Sequence, residues 1–252
     1  MAIGTPTTLT SGSDTTDSAA SYTTASITPT AGAVIFCGVL TTVGSGTAGT
    51  VTLTHGSITF NTLTSTTFNG TGWRISLVQG VVNGSPSAGA ITITPSAATQ
   101  TGVMWVVQQW TGVDTATPVP SSNYKTGSGT STGPSTTALS AFGSSANAVV
   151  AFVAASSPGS DTYTAGTGFT LLGNPSAMAT PTARIVGEYQ LANDTTPDMT
   201  ISVSRAWGMV AAEVKDSGLA LAASGSEYTV ASGTATYSGV FNAFRGLVLV
   251  WP

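Results

Sequence analysis

The chain has 252 residues, of which 41% are hydrophobic and only 6% charged, with a net charge of −4. That much apolar surface can offset the entropy of ordering, which argues against wholesale disorder, and the length suits one large β-sandwich, or a sandwich carrying a smaller appendage, rather than two equal domains. The basic residues stand far apart, at Arg74, Lys125, Arg184, Arg205, Lys215 and Arg245, and so dispersed they cannot neutralise a row of phosphates, which argues against nucleic-acid binding.

Residues 1–28 are rich in Thr and Ser, with Tyr22 and Ile27 as anchors. They read as an extended N-terminal arm whose fate depends on a partner surface. Residues 1–26 hold no Lys or Arg and no apolar core, so they do not read as a secretory signal. An extracellular-looking protein without an export signal fits release by lysis inside an assembled virus.

Residues 34–40 follow as a buried strand. Cys37 sits inside this run, where it reads as a small hydrophobe; as the sole cysteine it forms no disulfide within the chain. Residues 51–54 alternate Val and Leu with Thr, and residues 73–82 form another strand, ended by Asn83-Gly84-Ser85-Pro86. Strands at 91–94 and 103–110 lead into a polar stretch, 111–134, that carries Pro118, Pro120 and Pro134 and reads as a loop excursion.

Further strands are expected at 149–154, 169–172, 184–191, 199–204 and 207–214. The run Val149-Val150-Ala151-Phe152-Val153 lacks alternation, which places it in the middle of the core, buried on both faces. β-Branched Thr suits a pleated surface, and no long window carries a helical period. A total of about ten strands suits two packed antiparallel sheets. The expected fold is therefore all-β, a jelly-roll-like antiparallel β-sandwich over residues 29–215. Beyond it, residues 216–226 are small and flexible, and short strands are expected at 228–230, 234–237 and 247–251. Residues 216–252 are read as a C-terminal β-strand appendage, docked on the sandwich or on a neighbouring subunit. No segment approaches the roughly 18 apolar residues of a membrane-spanning helix, so no membrane insertion is expected.

Few residues offer chemistry. His55, the sole histidine, stands beside a turn with no Gly-x-Ser-x-Gly elbow to serve a Ser-His-Asp triad. One histidine and one distant cysteine cannot furnish a zinc site. Asp14 with Asp17, or Asp194 with Asp198, offers loop oxygens to calcium, yet neither pair follows the EF-hand spacing, and solvated loops are the expected reading. Glu188 and Glu213, the carboxylates on expected strands, would be the pair for a glycosidase, against which stands their ordinary role as edge-strand acids. Gly44-Ser45-Gly46 and Gly127-Ser128-Gly129 lack the following Lys and helix of a phosphate cradle and read as flexible loops. Trp73, Trp105, Trp110 and Trp207 lie within apolar strands and are expected in the core, whereas Trp251 is expected at a docking contact. No catalytic, cofactor-binding or metal-binding residue is assigned on this basis, and no cofactor is expected.

The run Val106-Val107-Gln108-Gln109-Trp110-Thr111-Gly112-Val113-Asp114-Thr115-Ala116-Thr117-Pro118-Val119 resembles a strand followed by Gly-Val-Asp and Pro-Val in jelly-roll-like modules of bacteriophage virion structural proteins, found also in bacterial surface proteins. The likeness extends over residues 30–215, through the strand at 147–155, Tyr163-Thr164 before Phe169, Glu188-Tyr189, and Ala206-Trp207 leading into Val210-Ala211-Ala212. Leu9-Thr10-Ser11-Gly12-Ser13-Asp14-Thr15-Thr16, with Thr24-Ala25-Ser26-Ile27-Thr28-Pro29, is similar to the starts of phage structural proteins. Physically, Gly112 permits a tight exit from the strand, Asp114 caps the turn through its side chain, and Pro118 stiffens the return.

The resemblance implies a structural, non-enzymatic protein of the virion surface, extracellular after lysis. The expected role is a capsid decoration or cement protein, with the major capsid protein or other virion proteins as partners and a homo-oligomer, a trimer by preference, as its state. The alternatives are a phage tail or fibre component or carbohydrate-binding adhesin that meets a host glycan, and a self-assembling bacterial surface protein.

Overall fold

The computed structural model describes residues 2–96 and 99–218, all within one compact unit, Met1–Ala220. In chain order its strands are Thr7–Asp14 (β1), Tyr22–Thr23 (β2), Val34–Val43 (β3), Val51–Thr54 (β4), Ile58–Phe68 (β5), Trp73–Val82 (β6), Thr92–Pro95 (β7) and Gln100–Trp110 (β8). After a 3-10 turn at Pro120–Ser122 come Tyr124–Ser131 (β9), Ala148–Ala155 (β10), Tyr163–Ala165 (β11), Thr170–Ala179 (β12), Thr182–Gln190 (β13), Met199–Ile201 (β14) and Arg205–Val214 (β15).

Two five-stranded antiparallel sheets, ordered β1-β8-β3-β6-β5 and β12-β13-β10-β15-β9, carry the fold. They stack in register of position: β1 lies against β12, β3 against β10 and β13, β6 against β15, and β5 against β9. This is the all-β antiparallel sandwich expected from the sequence. Its strand order adds that the sheets are segregated along the chain, one built from residues before 111 and the other from residues after 123.

Between the sheets lies the largest core, with Phe36, Leu40, Ile75, Leu77, Phe152 and Val210 at its centre. Phe36 and Trp110 meet edge to face at 5.8 Å, and Trp110 meets Tyr189 at 6.0 Å, favourable aromatic geometries. Phe152 lies directly on β3: a Cβ at Gly38 would come within 2.5 Å of its ring, so only glycine leaves room at that crossing.

Each sheet is covered again on its outer face. A small sheet, β2-β7-β4, packs Tyr22, Ile91 and Ile93 over Ile35, Cys37 and Val39 of β3. On the other side, β11 and β14 lay Tyr163, Met199 and Ile201 over Val153, Val186 and Met209. The described residues thus form four layers, and the central strands have no solvent face at all. Every residue of β3 and of β10 is buried, which is why both read as unbroken apolar runs instead of alternating ones.

The edges depart from the sequence expectation. Residues 1–28, expected as an arm, instead belong to the sandwich: β1 pairs with β8 from Thr7 opposite Gln109 to Asp14 opposite Val103, Ile3 enters the main core, and Tyr22 is 2% exposed. Residues 58–68, where no strand is expected, form β5, and the supposed loop at 111–134 contains β9, paired with β15 from Arg205 opposite Ser131 to Ala212 opposite Tyr124. Gly127-Ser128-Gly129 is therefore strand; a Cβ at Gly127 would collide with the Ser135 carbonyl, and Gly129 lies under the Trp207 ring. Of the appendage expected at 216–252, residues 219–252, Trp251 included, lie outside the described residues.

Candidate functional site

The two strand glutamates flank β10. Glu188 on β13 stands opposite Ala151 and Glu213 on β15 opposite Val149, so both project from the same, outer face of the sheet. Their surroundings differ. Glu213, 2% exposed, accepts hydrogen bonds from the Nδ2 amides of Asn123 at 2.6 Å and Asn147 at 2.5 Å. Asn123 also exchanges hydrogen bonds with the backbone of Ser140, and Asn147 Oδ1 accepts from the Asp216 amide at 3.0 Å. Glu213 is thus the hub of a satisfied buried network that ties the segments around β9 and the exit of the sandwich together.

Glu188 is fully buried and half satisfied. Its Oε2 accepts from the Gly166 amide at 3.2 Å, while Oε1 has no partner. Burial, reinforced by the charges of Asp198 and Asp194 and only partly opposed by the Gly166 amide, pushes its carboxyl up to about 8. The acids that bear on it are those two aspartates, whereas Glu213 keeps its own amide partners.

Asp194 and Asp198 open onto a cavity of about 470 Å³ lined also by Ser135, Thr136, Thr167 and Thr196. Its wall is backbone-built. Ser135 bridges to Asp198, and the amides of Met199 and Thr136 donate to the carbonyls of Pro134 at 2.9 Å and Pro197 at 3.4 Å. The turn after β11 brings Gly166 so close to Asp198 that a Cβ there would collide with the Asp198 carbonyl and carboxylate. Asp194 Oδ1 caps its own turn, accepting from the amide and hydroxyl of Thr196 at 2.8 and 2.9 Å. Thr136 Oγ1, in the wall, is a buried oxygen without a partner, as is Gln190 Oε1 beside Gly168. Among the described residues no three His, Cys, Asp or Glu side chains converge closely enough to hold a metal ion by themselves.

The Gly-Val-Asp segment fastens both ends of the sandwich. Asp114 Oδ1 accepts from the amides of Ala116 at 2.8 Å and Thr117 at 3.2 Å, and Oδ2 pairs with Lys215 Nζ at 2.7 Å. The Lys215 ammonium, with those amides, holds the Asp114 carboxyl down to about 2. The Asp114 amide donates to the Lys215 carbonyl at 2.9 Å, the Lys215 amide to the Pro118 carbonyl at 2.8 Å, and the Gly4 amide to the Thr111 carbonyl at 3.0 Å. Gly112 takes φ +72°, and a side chain there would strike the Ala2 carbonyl as well as strain the backbone.

Other sequence candidates have structural surroundings. His55 Nδ1 accepts from the Ser57 amide at 3.1 Å in a tight turn, with Gly89 against its Nε2. Asp14 Oδ1 accepts from the Thr16 amide at 2.8 Å. Cys37 is wholly buried, and burial pushes its thiol far up, away from the reactive thiolate. Trp73, Trp105, Trp110 and Trp207 are all below 9% exposed, so none of these offers a ring face to a sugar. Sequence reasoning missed Asp161, 4% exposed, which takes a two-point contact from Arg205 at 2.6 and 3.1 Å and the Ser157 hydroxyl at 2.7 Å. Its partner lies 44 residues away, and nothing in the sequence marks the pair.

The remaining feature is the edge at β5. Its eleven residues carry no charge and no proline, and among the described residues no strand pairs with its outer side. Beside it run cavities of about 310 Å³ at Thr52 and Phe60, about 300 Å³ at Asn61, Leu63 and Tyr124, and about 290 Å³ at Thr67 and Ser128. Natural sheets usually protect a long edge with charges or proline, and among the described residues the protection here is a register irregularity between Thr62 and Thr64. Comparison with protein-family models, with curated proteins and with solved structures gives no match.

Proposed function

We propose that the protein is a structural component of a bacteriophage virion surface, a capsid decoration or cement protein that stabilises the shell through intersubunit contacts and has no catalytic role. The observation that carries this reading is the long, uncharged edge of β5, unpaired among the described residues and with grooves along it, a surface suited to main-chain contact with a neighbouring subunit. The resemblance of residues 106–119 to phage virion modules gives the setting. Partners on this reading are the major capsid protein and further copies of the chain, as a trimer. The glycan-binding alternative gains no support from the four buried tryptophans.

The edge supplies the test. Thr59 and Asn61 are exposed on β5, and placing lysines there (Thr59→Lys with Asn61→Lys) leaves the core untouched while charging the docking edge. Co-sedimentation of the full chain with phage heads stripped of their surface protein is expected to show at least about 10-fold weaker attachment for the double variant, with unchanged thermal unfolding. Equal attachment by variant and wild type would remove β5 from the contact, and no sedimentation of either would overturn the cementing role.

A further inference from the structure

Two asparagines of the chain stand directly before glycine, Asn69 with Gly70 and Asn83 with Gly84, and both pairs are exposed, one at each end of β6. An asparagine so placed holds an electrophile, its side-chain Cγ, next to a main-chain nitrogen that no neighbouring Cβ shields. The fold treats the two pairs differently. Asn69 takes φ +51° and Gly70 φ +72°, successive left-handed residues of the turn that joins β5 to β6. In that region ψ is about +30 to +60°, which turns the following nitrogen to the far side of the Cα–C bond from the side chain. The Gly70 nitrogen therefore cannot reach Cγ unless the turn is rebuilt. Asn83 lies outside that region, and its Oδ1 accepts from the Ser85 amide at 3.2 Å. The ring closed by this hydrogen bond contains both Cγ and the Gly84 nitrogen, so the side chain is folded forward along the Gly84 peptide. The same bond draws electrons towards Oδ1, where negative charge develops when Cγ is attacked. No hydrogen bond holds the Gly84 amide among the described residues, and a Cβ there would meet nothing within 4 Å, so base and water have access to it.

We propose that Asn83-Gly84 is a self-modification site, at which the folded chain deamidates through a cyclic imide to aspartate and isoaspartate, while Asn69-Gly70 is protected by its turn. Base takes the proton of the Gly84 amide, and the nitrogen forms a bond to Asn83 Cγ. The Cγ–Nδ2 bond breaks, and the amide nitrogen takes up a proton from water and leaves as ammonia. Water then opens the imide: cleavage of the bond from Cγ to nitrogen gives aspartate, and cleavage of the bond from the main-chain carbonyl carbon to nitrogen gives isoaspartate. Nothing is oxidised or reduced, and water is the co-reactant. Each conversion adds one negative charge to a chain of net charge −4, and isoaspartate also adds a methylene to the main chain. That carbon falls between two anchors on one residue, since the Asn83 amide donates to the Ser57 carbonyl at 3.0 Å and the Ser87 amide to Ser57 Oγ at 2.9 Å. The longer turn must be taken up there, beside the start of β5.

The test uses the full chain, incubated in mildly alkaline buffer both folded and unfolded in guanidinium chloride. Protease digestion and mass spectrometry read the acid formed at each asparagine, and chromatography of the peptides separates isoaspartate from aspartate. Unfolded, the two Asn-Gly pairs are expected to convert at similar rates. Folded, Asn83 is expected to convert at least about 10-fold faster than Asn69, the ratio that roughly 1.4 kcal/mol of turn rebuilding imposes. Gly84→Ala, whose methyl meets no neighbour but hinders the nitrogen, should slow conversion at Asn83 by at least about 10-fold, with unchanged thermal unfolding and unchanged conversion at Asn69. The comparison of folded with unfolded wild type stands without that variant. Asn69 keeping pace with Asn83 in the folded chain, or Asn83 still intact there after the unfolded chain has converted at both positions, overturns the assignment.

Discussion

Phe152→Ala is expected to lower the unfolding free energy by about 3–5 kcal/mol. Phe152 is fully buried at the centre of β10, between two sheets that each have a second layer behind them. Its ring occupies space left by Gly38 on β3, and a Cβ built on Gly187 of β13 would come within 3.0 Å of it. Two backbones built to fit one ring cannot collapse onto an alanine, because both central strands are fixed by neighbours on either side, so the cavity persists and its cost adds to the lost transfer energy. The complementary change, Gly38→Ala, overpacks the same contact and should cost about 1–3 kcal/mol. Urea denaturation followed by tryptophan fluorescence checks both. A loss below about 1 kcal/mol for Phe152→Ala would mean that the sheets can close over the gap, against the tight crossing described here.

Glu188→Gln is expected to stabilise the chain at pH 8 by about 1–3 kcal/mol, and to flatten its stability between pH 5 and 8. The sign follows from the direction of the shift. Burial, aided by Asp198 and Asp194, raises the folded carboxyl to about 8, above its unfolded value, so the folded state holds the proton more tightly. The corresponding stability is fully present below the unfolded value and drains away as pH rises towards 8. A neutral amide has the shape of the carboxylic acid without the proton to lose. The expected result is a wild-type denaturation midpoint that falls from pH 5 to pH 8 and a variant midpoint that falls less, and parallel profiles would contradict it.

The central layers were legible because they have no solvent face. The runs at 34–40 and 149–154 contain no polar alternation, and the structure buries every residue of the strands that hold them. Asp114 was legible too, since a turn cap bonds to amides only two and three residues away. The edges were not. Thr7–Asp14 and Tyr124–Ser131 are mostly Thr, Ser and Gly, half exposed, and their strand character comes from partners across the sheet, not from a pattern of their own. β5 hides in the same way, its Phe60 and Leu63 only partly buried among threonines.

The two glutamates show the limit for sites. Glu188 and Glu213 look alike as strand acids, yet one is satisfied by asparagines 90 and 66 residues away and the other is left with a free oxygen behind an acidic cavity. Such differences depend on loops that cross over the sheet face, and a single sequence carries no mark of which loop crosses where. The sequence pairing of Asp194 with Asp198 was in view, but the buried carboxylate behind them and the hydroxyl wall came only with the fold.

The central claim, a place on the outer surface of a phage head, is tested most directly by immunogold electron microscopy of the source culture with an antibody raised against the full chain. Even labelling over capsid heads is the predicted result. Label confined to tails or to cell envelopes would contradict it and turn the reading to a fibre, an adhesin or a bacterial surface protein.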